Sequence, residues 1–159
     1  VSLIGIGYDS HRLAEGCALV IGGVQIPHEM GLEGHSDADV LTHAVIDALL
    51  GAAGLGDIGQ HFPDTDERYR GADSIALLQE VMKLLSGEGL QVLNIDCTLV
   101  MERPKIAPYK QQIGERLARV LGLPERRVNV KATTGERIGF VGREEGVAAL
   151  AVASVAEVG

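Results

Sequence analysis

The chain has 159 residues, 46% hydrophobic and 23% charged, enough for one domain with a real core and too few to expect two. Aromatics are 3%, Trp is absent and the formal net charge is -8, so neither a base-stacking surface nor a broad cationic footprint for nucleic acid is expected. No apolar run approaches the roughly 20 residues that span a bilayer, and Val1–Leu13 lacks the apolar stretch of a signal peptide. The expectation is a cytoplasmic protein without membrane partners, with Cys17 and Cys97 as unpaired thiols.

In chain order, Leu3–Tyr8 reads as a first strand and Ala18–Val24 as a second, turned by Gly22-Gly23. Gly31–Gly34 reads as loop. Asp37 or Asp39 can cap a helix reaching about Ala53, with Val40, Leu41, Ala44, Val45, Ala48 and Leu49 on one face. A glycine-dense loop then runs through Gly51, Gly54, Gly56 and Gly59 to Phe62-Pro63-Asp64. A second helix is predicted over Ala72–Leu85, striped by Ile75, Leu78, Met82 and Leu85 and ended by Gly87.

Gln91–Met101 is the clearest strand, with Leu93, Ile95, Cys97, Leu99 and Met101 alternating with polar residues. Pro108 opens a third helix, closed by Gly122 and Pro124, whose inner face carries Ile113, Leu117, Val120 and Leu121. Val128, Val130 and Ala132 alternate in another strand. Gly146–Val158 is the last, evenly apolar and so expected to be covered on both faces. The sum is α+β, a mixed sheet of four to five strands covered by three helices, in one domain spanning residues 1–159.

Four clusters could carry chemistry. In Asp9-x-His11 both side chains share one face of a strand and could grip a divalent cation; the alternative is a surface ion pair. His35-Ser36-Asp37-Ala38-Asp39 precedes His43, and on a helix Asp39, His43 and Asp47 form one ridge. Three of the five histidines therefore lie within 33 residues beside aspartates, a set that suits zinc with one position open. His43 could equally be a hydrogen-bonded histidine at the core edge.

The loop Gly54-Leu55-Gly56-Asp57-Ile58-Gly59 can bring backbone N–H groups to a ligand or serve as a connector. Lys131-Ala132-Thr133-Thr134-Gly135-Glu136 offers hydroxyls for phosphate and a carboxylate for Mg²⁺, or a capped turn. No Walker sequence is present. Gly34-His35-Ser36-Asp37-Ala38 lacks the buried strand that a nucleophile elbow needs before it.

Taken end to end, the chain resembles the 2-C-methyl-D-erythritol 2,4-cyclodiphosphate synthase family. The matching segments are Gly5–Arg12, Gly34–His43, Gly56–Gly59 with Phe62-Pro63-Asp64, Glu102–Lys105, Lys131–Thr134 with Glu136, and Gly139-Phe140 with Gly142-Arg143. The resemblance implies that Asp9, His11 and His43 hold zinc and that Glu136 holds magnesium or manganese between two phosphates. It implies a cytidine diphosphate pocket at Thr133, Thr134, Lys105, Ile106 and Ala107. It implies contacts from His35, Ser36, Asp57, Gly59 and Asp64 to the methylerythritol phosphate arm.

Gly135 departs from the Thr often found at its position. The resemblance further implies a homotrimer around a three-fold axis with active sites between subunits, and an axial cavity for isoprenoid phosphates near Phe140 and Arg143. The expected reaction is attack of the substrate's own 2-phosphate on its β-phosphorus, with CMP leaving. A zinc phosphohydrolase and a non-enzymatic isoprenoid-phosphate-binding module are the rival readings.

Overall fold

The computed structural model describes all residues from Val1 to Gly159. The strands are β1 (Ser2–Glu15), β2 (Leu19–Ile21), β3 (Val24–Ile26), β4 (Met30–Glu33), β5 (Leu90–Val100), β6 (Val128–Thr133) and β7 (Gly146–Glu157). The helices are α1 (Val40–Ala53), α2 (Ile58–His61), α3 (Ser74–Gly87), α4 (Lys110–Leu121) and α5 (Gly139–Gly142). Five strands form one sheet in the order β4-β1-β7-β5-β6. Only β5 and β6 pair in parallel, and α4 makes the crossover between them. The expected mixed α+β architecture is observed, with α2 and α5 as single turns added to three long helices.

Several boundaries differ from the expectation. β1 continues past Tyr8 to Glu15 because its second half pairs with β4 as well as β7. Gly31–Gly34 is not loop: Met30–Glu33 is the edge strand β4, too short to show a period. Ala18–Val24 is not one strand but the start of a separate hairpin, β2 against β3, folded at Gly22-Gly23. In β5 a bulge at Val92/Asn94 moves Val92 inward and leaves Leu93 half-buried, so the strict alternation holds only from Ile95 onward.

The last strand is not covered on both faces in the single chain. Ala149, Ala151, Ala153 and Val155 are buried, whereas Leu150 and Val152 are exposed. Its even apolarity conceals an ordinary alternation, because the inward residues are mostly alanine.

The approach of β1 to α1 positions the site. A Cβ at Gly5 would lie 1.9 Å from the Ala48 carbonyl oxygen, and one at Gly7 would lie 1.9 Å from that of Ala44. Glycine against alanine lets helix and strand touch backbone to backbone. Gly5, Gly7, Asp9 and His11 alternate along the strand and so share its helix-facing side. Ile4, Ile6 and Tyr8 take the opposite side and are exposed, 65% and 70% for the two isoleucines. One contiguous apolar cluster fills the space between the sheet and α1, α3 and α4.

Candidate active site

Asp9 and His11 extend the glycine row of β1, and His43 sits one turn into α1. The close packing of strand on helix therefore brings three ligand atoms together. Asp9 Oδ2 lies 2.8 Å from His11 Nε2 and 3.1 Å from His43 Nδ1, and the two ring nitrogens are 3.3 Å apart. Tetrahedral zinc, with bonds of roughly 2.0–2.1 Å, spaces its ligand atoms about 3.4 Å apart. The triangle thus fits a small divalent cation with only slight expansion. The donor set of two imidazoles and one carboxylate also suits zinc.

Hydrogen bonds on the far sides of the rings orient these donors. His11 Nδ1 donates to the Glu33 carbonyl of β4 at 3.1 Å, leaving Nε2 toward Asp9. His43 Nε2 contacts Ser74 Oγ at 2.8 Å and Ser36 Oγ at 3.1 Å. Burial pushes the Asp9 carboxyl up, but the adjacent His11 and His43 rings outweigh it and hold the group below its ordinary value. Burial pushes His11 down, but its bond to Asp9 prevails and raises it. Without a cation the pair is mutually stabilised as carboxylate and imidazolium.

The three ligands line a cavity of about 480 Å³ together with His35, Ser36, Gly59 and Asp64. The far wall comes from the segment after α1, through Ile58, Phe62, Pro63 and Tyr69. His35 is fixed by a 2.9 Å bond from Nε2 to the Asp66 carbonyl. Asp57 is not among the lining residues. It caps α2, accepting from Gln60 N at 3.0 Å, while Gln60 Oε1 accepts from Asp57 N at 2.9 Å.

The expected Asp39–His43–Asp47 ridge does not act as one site. Asp39 is fully buried and accepts four hydrogen bonds, from Gly22 N, Gly23 N, Thr42 N and Thr42 Oγ1. It caps α1 and ties the β2–β3 turn to it. Asp47 accepts from Ile58 N at 3.0 Å and anchors α2. Only His43 turns toward β1. Ser74 was not singled out by sequence reasoning, because a serine after Asp73 at a helix start reads as part of the cap.

The second group of expected residues lies elsewhere. Thr133, Thr134, Lys105, Ile106 and Ala107 line a pocket of about 180 Å³ at the ends of β5 and β6. Ile106 buries its side chain in the core, so its backbone is what remains for a ligand. Glu136 lines an adjoining cleft of about 720 Å³ with Lys105, Thr134, Arg103 and Arg137. Its backbone is left-handed, φ 54°, followed by Arg137 at 60°, and Thr134 Oγ1 accepts from Glu136 N at 3.1 Å. Gly135 is crowded: a Cβ there would lie 2.7 Å from Gly142 N.

Neither of these pockets shares a residue with the Asp9–His11–His43 cavity. Phe140 is half-exposed near Ser10 and Arg12, and the exposed Arg143 pairs with Glu145 at 3.2 Å. Neither cysteine is placed as a nucleophile; burial pushes the Cys97 thiol up to about 12.

The fold and this cluster define an α+β protein with a candidate metal centre at the junction of its longest strand and first helix. Residues 2–156 match the YgbB family, and the chain belongs to that family. It is 62% identical over 154 residues, covering 97% of this chain and 98% of the relative, to the 2-C-methyl-D-erythritol 2,4-cyclodiphosphate synthase of Symbiobacterium thermophilum. Among solved structures it matches the bifunctional IspDF of Campylobacter jejuni with TM-score 0.95 and 43% identity, covering 99% of this chain but 42% of that one. It also matches a 2C-methyl-D-erythritol-2,4-cyclodiphosphate synthase with CDP bound, with TM-score 0.89 and 41% identity, covering 96% of this chain and 99% of that one.

Proposed function

We propose that this protein closes 4-diphosphocytidyl-2-C-methyl-D-erythritol 2-phosphate into 2-C-methyl-D-erythritol 2,4-cyclodiphosphate, releasing CMP, in non-mevalonate isoprenoid synthesis. The observation that carries the reading is the convergence of Asp9, His11 and His43, all within 4.8 Å, in a chain that matches the synthases along nearly its whole length.

In this reaction an oxygen of the 2-phosphate forms a bond to the β-phosphorus, and the bond from that phosphorus to the CMP oxygen breaks. The nucleophile belongs to the substrate and is already anionic near neutral pH, so no Ser, Cys or strong base is required. What must be overcome is repulsion between two anions and the freedom of the substrate chain. Folding the substrate into an in-line shape can supply roughly 7–11 kcal/mol in favourable intramolecular cases. His35, Ser36, Gly59 and Asp64 would shape the methylerythritol arm, with Asp57 holding α2 beneath it. Thr133, Thr134, Lys105 and the backbone at Ile106 and Ala107 would take the cytidine diphosphate.

Zinc held by Asp9, His11 and His43, with magnesium or manganese at Glu136, would supply concentrated positive charge for the phosphates in a chain whose own net charge is -8.

The functional unit in this reading is one domain over residues 1–159, assembled as a homotrimer. Two observations support it. The candidate phosphate pocket and the metal cavity are separate in one chain, as expected if each site joins halves from two subunits. The sheet face away from the helices exposes Ile4, Ile6, Tyr8, Leu150 and Val152, which a closed ring would cover. Phe140 and Arg143 would then approach the axis.

The test is incubation with the cytidylyl substrate, zinc and magnesium, read by phosphorus NMR. A cyclic diphosphate with stoichiometric CMP is expected. Inorganic phosphate without a cyclic product would instead indicate a hydrolase, and isoprenoid-phosphate binding without turnover a binding module.

A further inference from the structure

His43 is gripped on both ring nitrogens, and the two grips are unlike. Nδ1 faces the cluster, 3.1 Å from Asp9 Oδ2 and 3.3 Å from His11 Nε2. Nε2 faces Ser74 Oγ at 2.8 Å. Ser74 is fully buried at the first position of α3, and its Oγ donates to Asp37 Oδ1. Ser74 N also donates, to Asp37 Oδ2 at 3.0 Å.

A serine hydroxyl has one proton. With that proton given to the Asp37 carboxylate, Ser74 Oγ presents only lone pairs to His43. Nε2 must then be the donor, and a neutral imidazole has no second proton for Nδ1. The lone pair of Nδ1 therefore points at the metal position. We propose that Asp37 and Ser74 form a positioning relay that sets His43 as an Nδ1 ligand, an inference that rests on the metal-centre reading above.

The relay supplies a direction that the other neighbours do not. Ser36 Oγ, 3.1 Å from Nε2, accepts from Ala38 N at 3.2 Å and keeps its own proton free to point either way. Asp9 Oδ2 is an acceptor beside Nδ1 and favours the opposite tautomer, which would put a proton where the cation belongs. Breaking the Asp37–Ser74 contact leaves that competition unopposed. The two segments are also zipped by backbone bonds, Asp37 N to Ala72 O at 3.0 Å and Gly71 N to His35 O at 2.7 Å, so relay geometry does not depend on one contact.

Zinc and cobalt(II) affinities of the full chain, measured by chelator competition, test this. Ser74→Ala is expected to weaken zinc binding 10- to 100-fold and to alter the visible absorption of the cobalt form. Ser74→Thr, which keeps the hydroxyl, is expected to restore both. Asp37→Ala reaches the relay from its other end and is expected to weaken zinc in the same direction, so the test survives if one variant fails to fold. Wild-type zinc affinity in both alanine variants, or equal weakening in Ser74→Ala and Ser74→Thr, overturns the relay. Absence of zinc and cobalt binding by the wild-type protein overturns the metal-centre reading, and the relay with it.

Discussion

The metal cluster and the Lys105–Thr134–Glu136 cleft are built on opposite principles. The cluster lies where backbone touches backbone: Gly7 of β1 is packed against Ala44 of α1, and the three ligand atoms follow from that approach. Each ring is held from behind, by Glu33 O or by Ser74 Oγ. The cleft instead sits at strand ends and turns, with Glu136 exposed on a left-handed residue and Lys105 open to solvent. One region is organised by a single chain's packing; the other presents charged side chains outward. The difference teaches that a tightly packed candidate cation site and an open charged cleft in one small domain can have separate physical origins.

Four perturbations would break or sharpen that contrast. The largest effect is expected from His43→Ala, which removes a ligand from the rigid side. Zinc content and CMP release should fall together, the rate by about 10³-fold, equivalent to about 4 kcal/mol in the barrier. Full zinc with unchanged turnover would refute the ligand assignment.

Next is Gly7→Ala. Its Cβ would fall 1.9 Å from Ala44 O, so strand and helix must part. A loss of about 1–3 kcal/mol or more in stability is expected, with weaker metal binding, read by thermal denaturation and metal titration. An unchanged melting temperature would show that the close packing is not what sets the cluster.

Glu136→Ala should act on the open side only. Zinc content should stay at the wild-type level, while the magnesium needed for half-maximal turnover rises, on the order of tenfold. A magnesium titration identical to wild type would remove Glu136 from that role.

The smallest effect is on pH dependence of the metal-free protein. His11 is raised above 6.5, so its contribution to stability is full below that value and is lost as pH rises through the folded value. Asp9 is lowered below 3.8, so its contribution is present above that value and is lost as pH falls through the folded value. The pair therefore supports the fold most between about pH 4 and 6.5. Asp9→Asn should flatten that window in metal-free melting curves. Zinc affinity should rise with pH through the His11 transition, since the cation competes with its proton.

Much of the scaffold was legible in the sequence because helices and long strands carry a period. The helices α1 and α3 and the alternation of Ile95, Cys97 and Leu99 in β5 all emerged, although α1 is buried on nearly every side rather than on one face, and α3 buries Leu77 and Val81 where Met82 was expected. Short elements were not legible: β4 has four residues and α2 one turn. The bulge that turns Leu93 was invisible because it depends on the partner strand. The Asp39–His43–Asp47 ridge was a sound helical pattern, yet three neighbours in space drew its members apart, the β2–β3 turn, β1 and α2.

By itself the sequence determined which residue types were available and where the chain would coil or extend, because period and capping are local properties. It also carried, through its ordered motifs, the resemblance that the family match bears out. Only the tertiary structure decided that Asp9 and His11 meet His43 rather than Asp39 or Asp47, and that Ser74 stands behind the ring. Those pairings join residues 31 to 34 positions apart. The strand-to-helix pairings exist because glycine and alanine allow β1 and α1 to pack at backbone distance, and the pairing with Ser74 needs α3 docked beside α1, conditions that no local pattern expresses.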